Sequence, residues 1–108
     1  MQIPDDENGD VLRRMIEGGD ALTDPRIIDY CFAFPNRAQS LDFAKTVSEK
    51  DYEVCISYYD DERWQAIVKK YMIPDHGEIS RIESDLTSRA ETSGGEADGW
   101  GCIIITKK

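Results

Sequence analysis

Tyr52-Glu53-Val54-Cys55-Ile56-Ser57-Tyr58-Tyr59-Asp60-Asp61-Glu62-Arg63-Trp64-Gln65-Ala66-Ile67-Val68-Lys69-Lys70-Tyr71-Met72 is the stretch on which the fold turns. Alternation over Tyr52 to Tyr59 places Val54, Ile56 and Tyr58 on one strand face. Trp64 to Met72 alternates again, through Ala66 and Val68. Only the polar Asp60-Asp61-Glu62 separates the two runs, so they should pair as an antiparallel hairpin.

Each flank of the hairpin reads as a helix and then a strand. Upstream, Arg26 to Phe34 puts Ile28, Tyr30, Phe32 and Phe34 on one strand face, and Pro35 ends it. Asn36 then caps a helix, with Gln39 three residues on as in a capping box. Leu41, Ala44 and Val47 form its stripe, with Phe43 beside it. Downstream, Pro74 closes the hairpin, and Asp75 with Glu78 repeats the capping pattern. Ile79, Ile82, Leu86 and Ala90 follow at helical spacing. Gly94-Gly95 stops that helix, Asp98-Gly99 makes a turn, and Trp100 to Thr106 reads as a last strand.

Residues from about Asp5 to Glu17 read as one more helix, with Val11, Leu12, Met15 and Ile16 as its apolar positions and Gly18-Gly19 as its stop. Gly9 weakens its first half. The chain is thus expected to be one domain: an N-terminal helical extension over 1–19 and a βαββαβ core over 26–106. That order is the ferredoxin-like plan, a four-stranded antiparallel sheet with two helices on one face.

The composition limits what such a domain does. At 108 residues the chain buries roughly two-thirds of its unfolded surface, enough for one core. Twenty-two carboxylates against thirteen cations leave a net charge of −9, which disfavours direct contact with nucleic acid or an anionic membrane. The same field favours a basic protein partner. Charge serving solubility alone remains the plainer reading. The acidic N-terminus has no apolar h-region and no run is long enough for a bilayer, so a cytoplasmic location is expected. Cys31, Cys55 and Cys102 lack any C-x-x-C spacing and fit small buried hydrophobes in a reducing compartment.

Catalytic chemistry finds few candidates. His76 is the one imidazole and sits near a helix start, where a bystander at an exposed terminus is the simpler role than a general base. No nucleophile elbow occurs, and one His with three scattered Cys does not make a zinc site. Gly94 to Gly101 is glycine-rich, but it lacks the lysine and Ser/Thr of a phosphate loop and precedes a strand. Asp5-Asp6-Glu7 and Asp60-Asp61-Glu62 do not match a calcium loop. The expectation is no enzyme, no cofactor and no metal. These two clusters, with Trp64 as an exposed aromatic beside the second, are the expected partner surface.

Asp98-Gly99-Trp100-Gly101, entering a terminal strand after a helix, resembles the ribonuclease E regulator B (RraB) family. Ile3-Pro4-Asp5-Asp6-Glu7-Asn8-Gly9 and Met72-Ile73-Pro74-Asp75-His76 are also similar to short members. The resemblance implies a ferredoxin-like fold and inhibition of ribonuclease E by binding the nuclease or its basic scaffold rather than RNA. The best-known members are longer, with an acidic C-terminal tail, whereas this sequence ends in Ile103-Ile104-Ile105-Thr106-Lys107-Lys108. If that tail contacts the nuclease, the domain is shared without the target.

Within the motif, Asp98-Gly99 suits a tight turn and Gly101 a close backbone approach. Trp100 reads chiefly as a core plug, worth about 3–5 kcal/mol against truncation to Ala. An interface anchor is its functional alternative.

Two other functions remain open. One is an immunity protein that neutralises a toxin. The other is an enzyme or small-molecule sensor using the sheet face left bare by the helices. That face carries Asp29, Cys31, Glu53, Cys55, Ser57, Gln65, Ile67 and Lys69, which a solvated sheet face would also carry.

Overall fold

A computed structural model describes residues 6–47, 52–60, 63–103 and 105, the side chains of Tyr59 and Asp60 excepted. It is an α+β chain of three helices and a four-stranded antiparallel sheet. The elements are α1 (Glu7–Glu17), β1 (Arg26–Phe34), α2 (Arg37–Thr46), β2 (Glu53–Asp60), β3 (Arg63–Met72), α3 (His76–Thr92) and β4 (Glu96–Gly101). The sheet order is β2-β3-β1-β4, with every neighbour antiparallel. The hairpin forms as expected, Val54 opposite Val68 and Tyr58 opposite Trp64.

Period-two burial decides which face is the core. Ile28, Tyr30, Phe32 and Phe34 on β1 and Ala66 and Val68 on β3 are buried to 1% exposure or less. Phe43 of α2 is inserted against Phe32 and Phe34, with ring centroids 5.1 and 5.2 Å away. Ile79, Ile82, Leu86 and Ala90 of α3 complete the cluster, in the stripe that their spacing predicts. Asn36 and Asp75 cap their helices by accepting from the Gln39 and Glu78 backbone N–H groups, at 2.9 and 3.0 Å.

The structure corrects several boundaries. α1 begins at Glu7 because the Asp6 carboxylate caps it, accepting from the Gly9 N–H at 2.7 Å. Gly9 stays within the helix and is buried there with Leu12 and Met15. The buried line of α2 is Ser40, Phe43 and Val47, which leaves Leu41 and Ala44 half-buried. Ser40 is tolerated there because its hydroxyl donates to the Arg37 carbonyl at 2.7 Å.

The largest correction concerns β4, which starts at Glu96 and ends at Gly101 instead of running from Trp100 to Thr106. Asp98-Gly99 is not a turn ahead of the strand. Trp100 pairs with Tyr30 and Ala97 with Phe32, so Asp98 and Gly99 together face the single residue Cys31. This is a β-bulge, and Gly99 supplies its left-handed backbone, φ 90°. Thr106 lies outside the described residues. Gly95 is required for a different reason: a Cβ there would sit 2.3 Å from the Phe34 ring.

Candidate functional site

Trp100 ties the N-terminal helix to the core. Its indole N–H donates to Asn8 Oδ1 at 2.8 Å, and its half-buried ring packs against the core cluster. The Asn8 amide nitrogen donates in turn to Ser80 Oγ and Glu83 Oε1 on α3, at 3.1 and 3.2 Å. Asp6 adds a second link, with both carboxylate oxygens 2.9 Å from His76 Nε2. The Gly9 N–H, and after it His76, holds the Asp6 carboxyl below its ordinary pKa. Asp6 and Glu7 therefore flank the junction of α1 with α3, both exposed at their outer edges.

His76 is not the exposed terminal bystander that its position suggests. Its side chain is 15% exposed and engaged by Asp6. No hydroxyl or thiol is hydrogen-bonded to it among the described residues. Its place is thus a fastening between two helix N-termini.

The hairpin tip is a separate place. Trp64 shares the helix-bearing face with Ala66 and Val68 and is half-buried, so it is not the fully exposed aromatic of a patch. Tyr58 meets it edge-on at 5.6 Å, and the Arg37 guanidinium lies 5.8 Å from its ring centroid. Asp60 ends β2 opposite Arg63. Asp5, Asp61, Glu62 and the Asp60 side chain lie outside the described residues.

The described members of these two clusters, Asp6 and Glu7 on one side and the Asp60 backbone on the other, do not meet. Asp6 sits at the His76 end of the molecule, just after Met72, which pairs with Arg26. Asp60 sits at the other end, where Phe34 pairs with Trp64. The nine residues of β1 separate them by roughly 27 Å at about 3.3 Å per residue.

The bare sheet face does assemble as its alternation predicts. Glu53, Lys69 and Asp29 form one cross-strand row, and Cys55, Ile67 and Cys31 the next. Lys69 Nζ donates to Asp29 at 3.0 Å, which raises the lysine pKa. Burial, with Asp29 and then Asp98 adding to it, pushes the Cys31 thiol up. Burial also raises Cys102, so neither is an activated thiolate. Beside these rows lies an open groove of about 830 Å³, bounded by Ile27, Tyr71, Ile103 and the Asp98–Gly101 bulge.

A buried ion pair, unforeseen in the sequence, lies at this groove, which Arg26 helps to line. Asp20 and Arg26 are 2% and 3% exposed and paired through both carboxylate oxygens. Arg26 Nη1 also donates to the Ile103 carbonyl at 3.0 Å, and Asp20 accepts from the Ile105 N–H at 3.0 Å. The pair thereby clasps the segment that follows β4. Arg26 holds the Asp20 carboxyl far below the usual range. Only the chain-order hint of an Asp six residues before an Arg preceded this, and that is too common to read.

Among the described residues no group of His, Cys, Asp and Glu is arranged to hold a metal ion, and no helix is long and apolar enough to cross a membrane. No curated protein matches the chain. Among solved structures, a C-terminal segment of the alpha subunit of aIF2 from Pyrococcus abyssi is similar at 18% identity, with a TM-score of 0.31. The match covers 93% of this chain and 61% of that segment. The family model for Regulator of ribonuclease activity B matches residues 5–102, which take in every element from α1 to the bulged β4. A match over nearly the whole length places the chain in the RraB family of ribonuclease regulators.

Proposed function

We propose that the chain is a non-catalytic inhibitor that binds a ribonuclease of the ribonuclease E type and limits RNA cleavage by occupying its basic surface. The observation that carries this reading is the family match over residues 5–102. The net charge of −9 supports the sense of the contact, since a surface that attracts RNA also attracts clustered carboxylates. On this reading the scaffold is ferredoxin-like, which the order β2-β3-β1-β4 supports.

Asp6 and Glu7 at the α1–α3 junction, and Asp60, Asp61, Glu62 and Trp64 at the hairpin, serve as two contact points for a partner long enough to reach both. A basic scaffold segment satisfies that requirement. No cofactor, nucleic acid or membrane takes part, and the complex forms in the cytoplasm.

The test is a titration of the chain against ribonuclease E, full-length and truncated before its basic scaffold, at low and high salt. Saturable binding that weakens with salt and is lost with the scaffold is expected, because exposed charge pairs are screened beyond about 8 Å at physiological ionic strength. No binding at micromolar concentration contradicts the proposal. A toxin encoded beside the chain, and bound by it, would then favour an immunity protein.

A further inference from the structure

Six large hydrophobic side chains stand exposed among the described residues, and three of them, Ile27, Tyr71 and Ile103, meet at the groove on the bare sheet face. They are 49%, 67% and 69% exposed, although Ile27 and Tyr71 are direct cross-strand neighbours that could have covered each other. The remaining bare-face rows are polar or small except for Ile67, which is half-buried between Cys31 and Cys55. An apolar cluster confined to one concavity, on a face that is otherwise solvated, marks a contact surface.

The charge around it selects the occupant. Among the described residues two cations border the groove, and both are already neutralised, Arg26 by Asp20 and Lys69 by Asp29. Asp98, projecting from the bulge, has no ion-pair partner among the described residues. Among the described residues an anionic ligand would therefore meet no available positive charge and one uncompensated carboxylate. A segment carrying an aliphatic or aromatic side chain next to a Lys or Arg meets complementary groups at both places. A groove of about 830 Å³ has room for such an anchor and its neighbours.

The groove also lies at the Arg26–Met72 end of the sheet, the end that bears Asp6 and Glu7. We infer that this groove is an anchoring site for an unfolded protein segment with an apolar side chain beside a basic residue. The inference rests on the reading of the chain as a nuclease-binding protein and adds a specific apolar foothold to its electrostatic attraction. Acidic ends bring the partner in, and the groove sets which stretch of it is held.

Two variants of the full chain test this: the double change Ile27→Thr with Tyr71→Thr, which places β-branched residues suited to strands at both positions, and Asp98→Lys. Melting temperature is measured alongside, so that a folding defect is recognised. Against full-length ribonuclease E, the double variant should bind about tenfold more weakly, as expected for loss of a central anchor. Asp98→Lys should also weaken binding and flatten its salt dependence. If the parent binds and both folded variants bind equally well, the groove is overturned while the regulator reading stands.

If the parent does not bind the nuclease, the regulator reading fails, and the groove is tested with a random peptide display library. Enrichment of aliphatic or aromatic residues beside Lys or Arg on the parent, lost on the double variant, supports the groove. Enrichment of acidic peptides, or none, overturns it. A dimer of the parent that dissociates in the double variant assigns the groove to a second copy and overturns it as well.

Discussion

The two faces of the sheet differ in what their residues are free to do. On the helix-covered face Ile28, Tyr30, Phe32 and Phe34 are buried to 1% or less, and every neighbour is fixed by close packing. On the bare face the intervening residues of the same strand, Ile27, Asp29 and Cys31, are exposed or half-buried, and the Asp29–Lys69 ion pair bridges them to β3. On the proposed reading, Ile28, Tyr30, Phe32 and Phe34 of this strand carry stability, and Ile27 on its other face takes part in recognition. Substitutions on the two faces should separate cleanly, one changing melting and the other binding.

The largest effect is expected at Phe32. Its truncation in Phe32→Ala leaves a cavity between β1 and α2 and should cost about 3–5 kcal/mol in a denaturant titration. A loss below 1 kcal/mol would mean that this face is not the core. Asp20→Asn removes charge from the buried clasp while keeping its shape, and should cost about 2–3 kcal/mol, since Arg26 then keeps only neutral acceptors. Amide exchange at Ile105, whose N–H bonds to Asp20, should rise in that variant ahead of exchange in β1.

Trp100→Phe keeps the ring against the core but removes the N–H that holds Asn8, for a cost of about 1 kcal/mol. Its effect should be concentrated in exchange of α1 amides. Acid provides an independent probe of the same junction. Because the folded-state pKa of Asp6 is lowered, its contribution is complete above the ordinary value of 3.8 and disappears as the pH falls through the lowered value. Asp20 is lowered much further, so α1 should detach at a higher pH than the C-terminal clasp opens. In a Trp64→Phe background, Trp100 emission should shift before the far-ultraviolet signal of the sheet changes. Simultaneous loss of both would show that α1 is an integral part of the core.

Lys69→Gln should have the smallest effect on stability, below about 1 kcal/mol, because the Asp29–Lys69 pair is partly exposed and screened. A larger cost would blur the distinction between the faces.

How far the sequence revealed these features follows from the range of the interactions. β1 was legible to the residue because its alternation is long, aromatic and closed by Pro35. The helix starts at Asn36 and Asp75 were legible because a cap bonds only three residues along. The docking of α1 was not legible, since it depends on Asn8 meeting Trp100, 92 residues away. The start of β4 was misplaced because Asp98-Gly99 has the composition of a turn, and only pairing with β1 makes it a bulge.

The bare-face residues were legible by alternation, whereas the groove was not. Part of its lining, Ile103 and Ile105, is held by Arg26 and Asp20 from 77 and 85 residues away, beside a loop in which Leu22 takes a left-handed backbone, φ 57°.

The most direct test of the central claim is cleavage of a single-stranded RNA by purified ribonuclease E with increasing amounts of the chain. Cleavage should slow to saturation at physiological salt, with the chain itself neither cutting nor retaining the RNA. Unchanged cleavage at a large molar excess of folded chain would contradict the account.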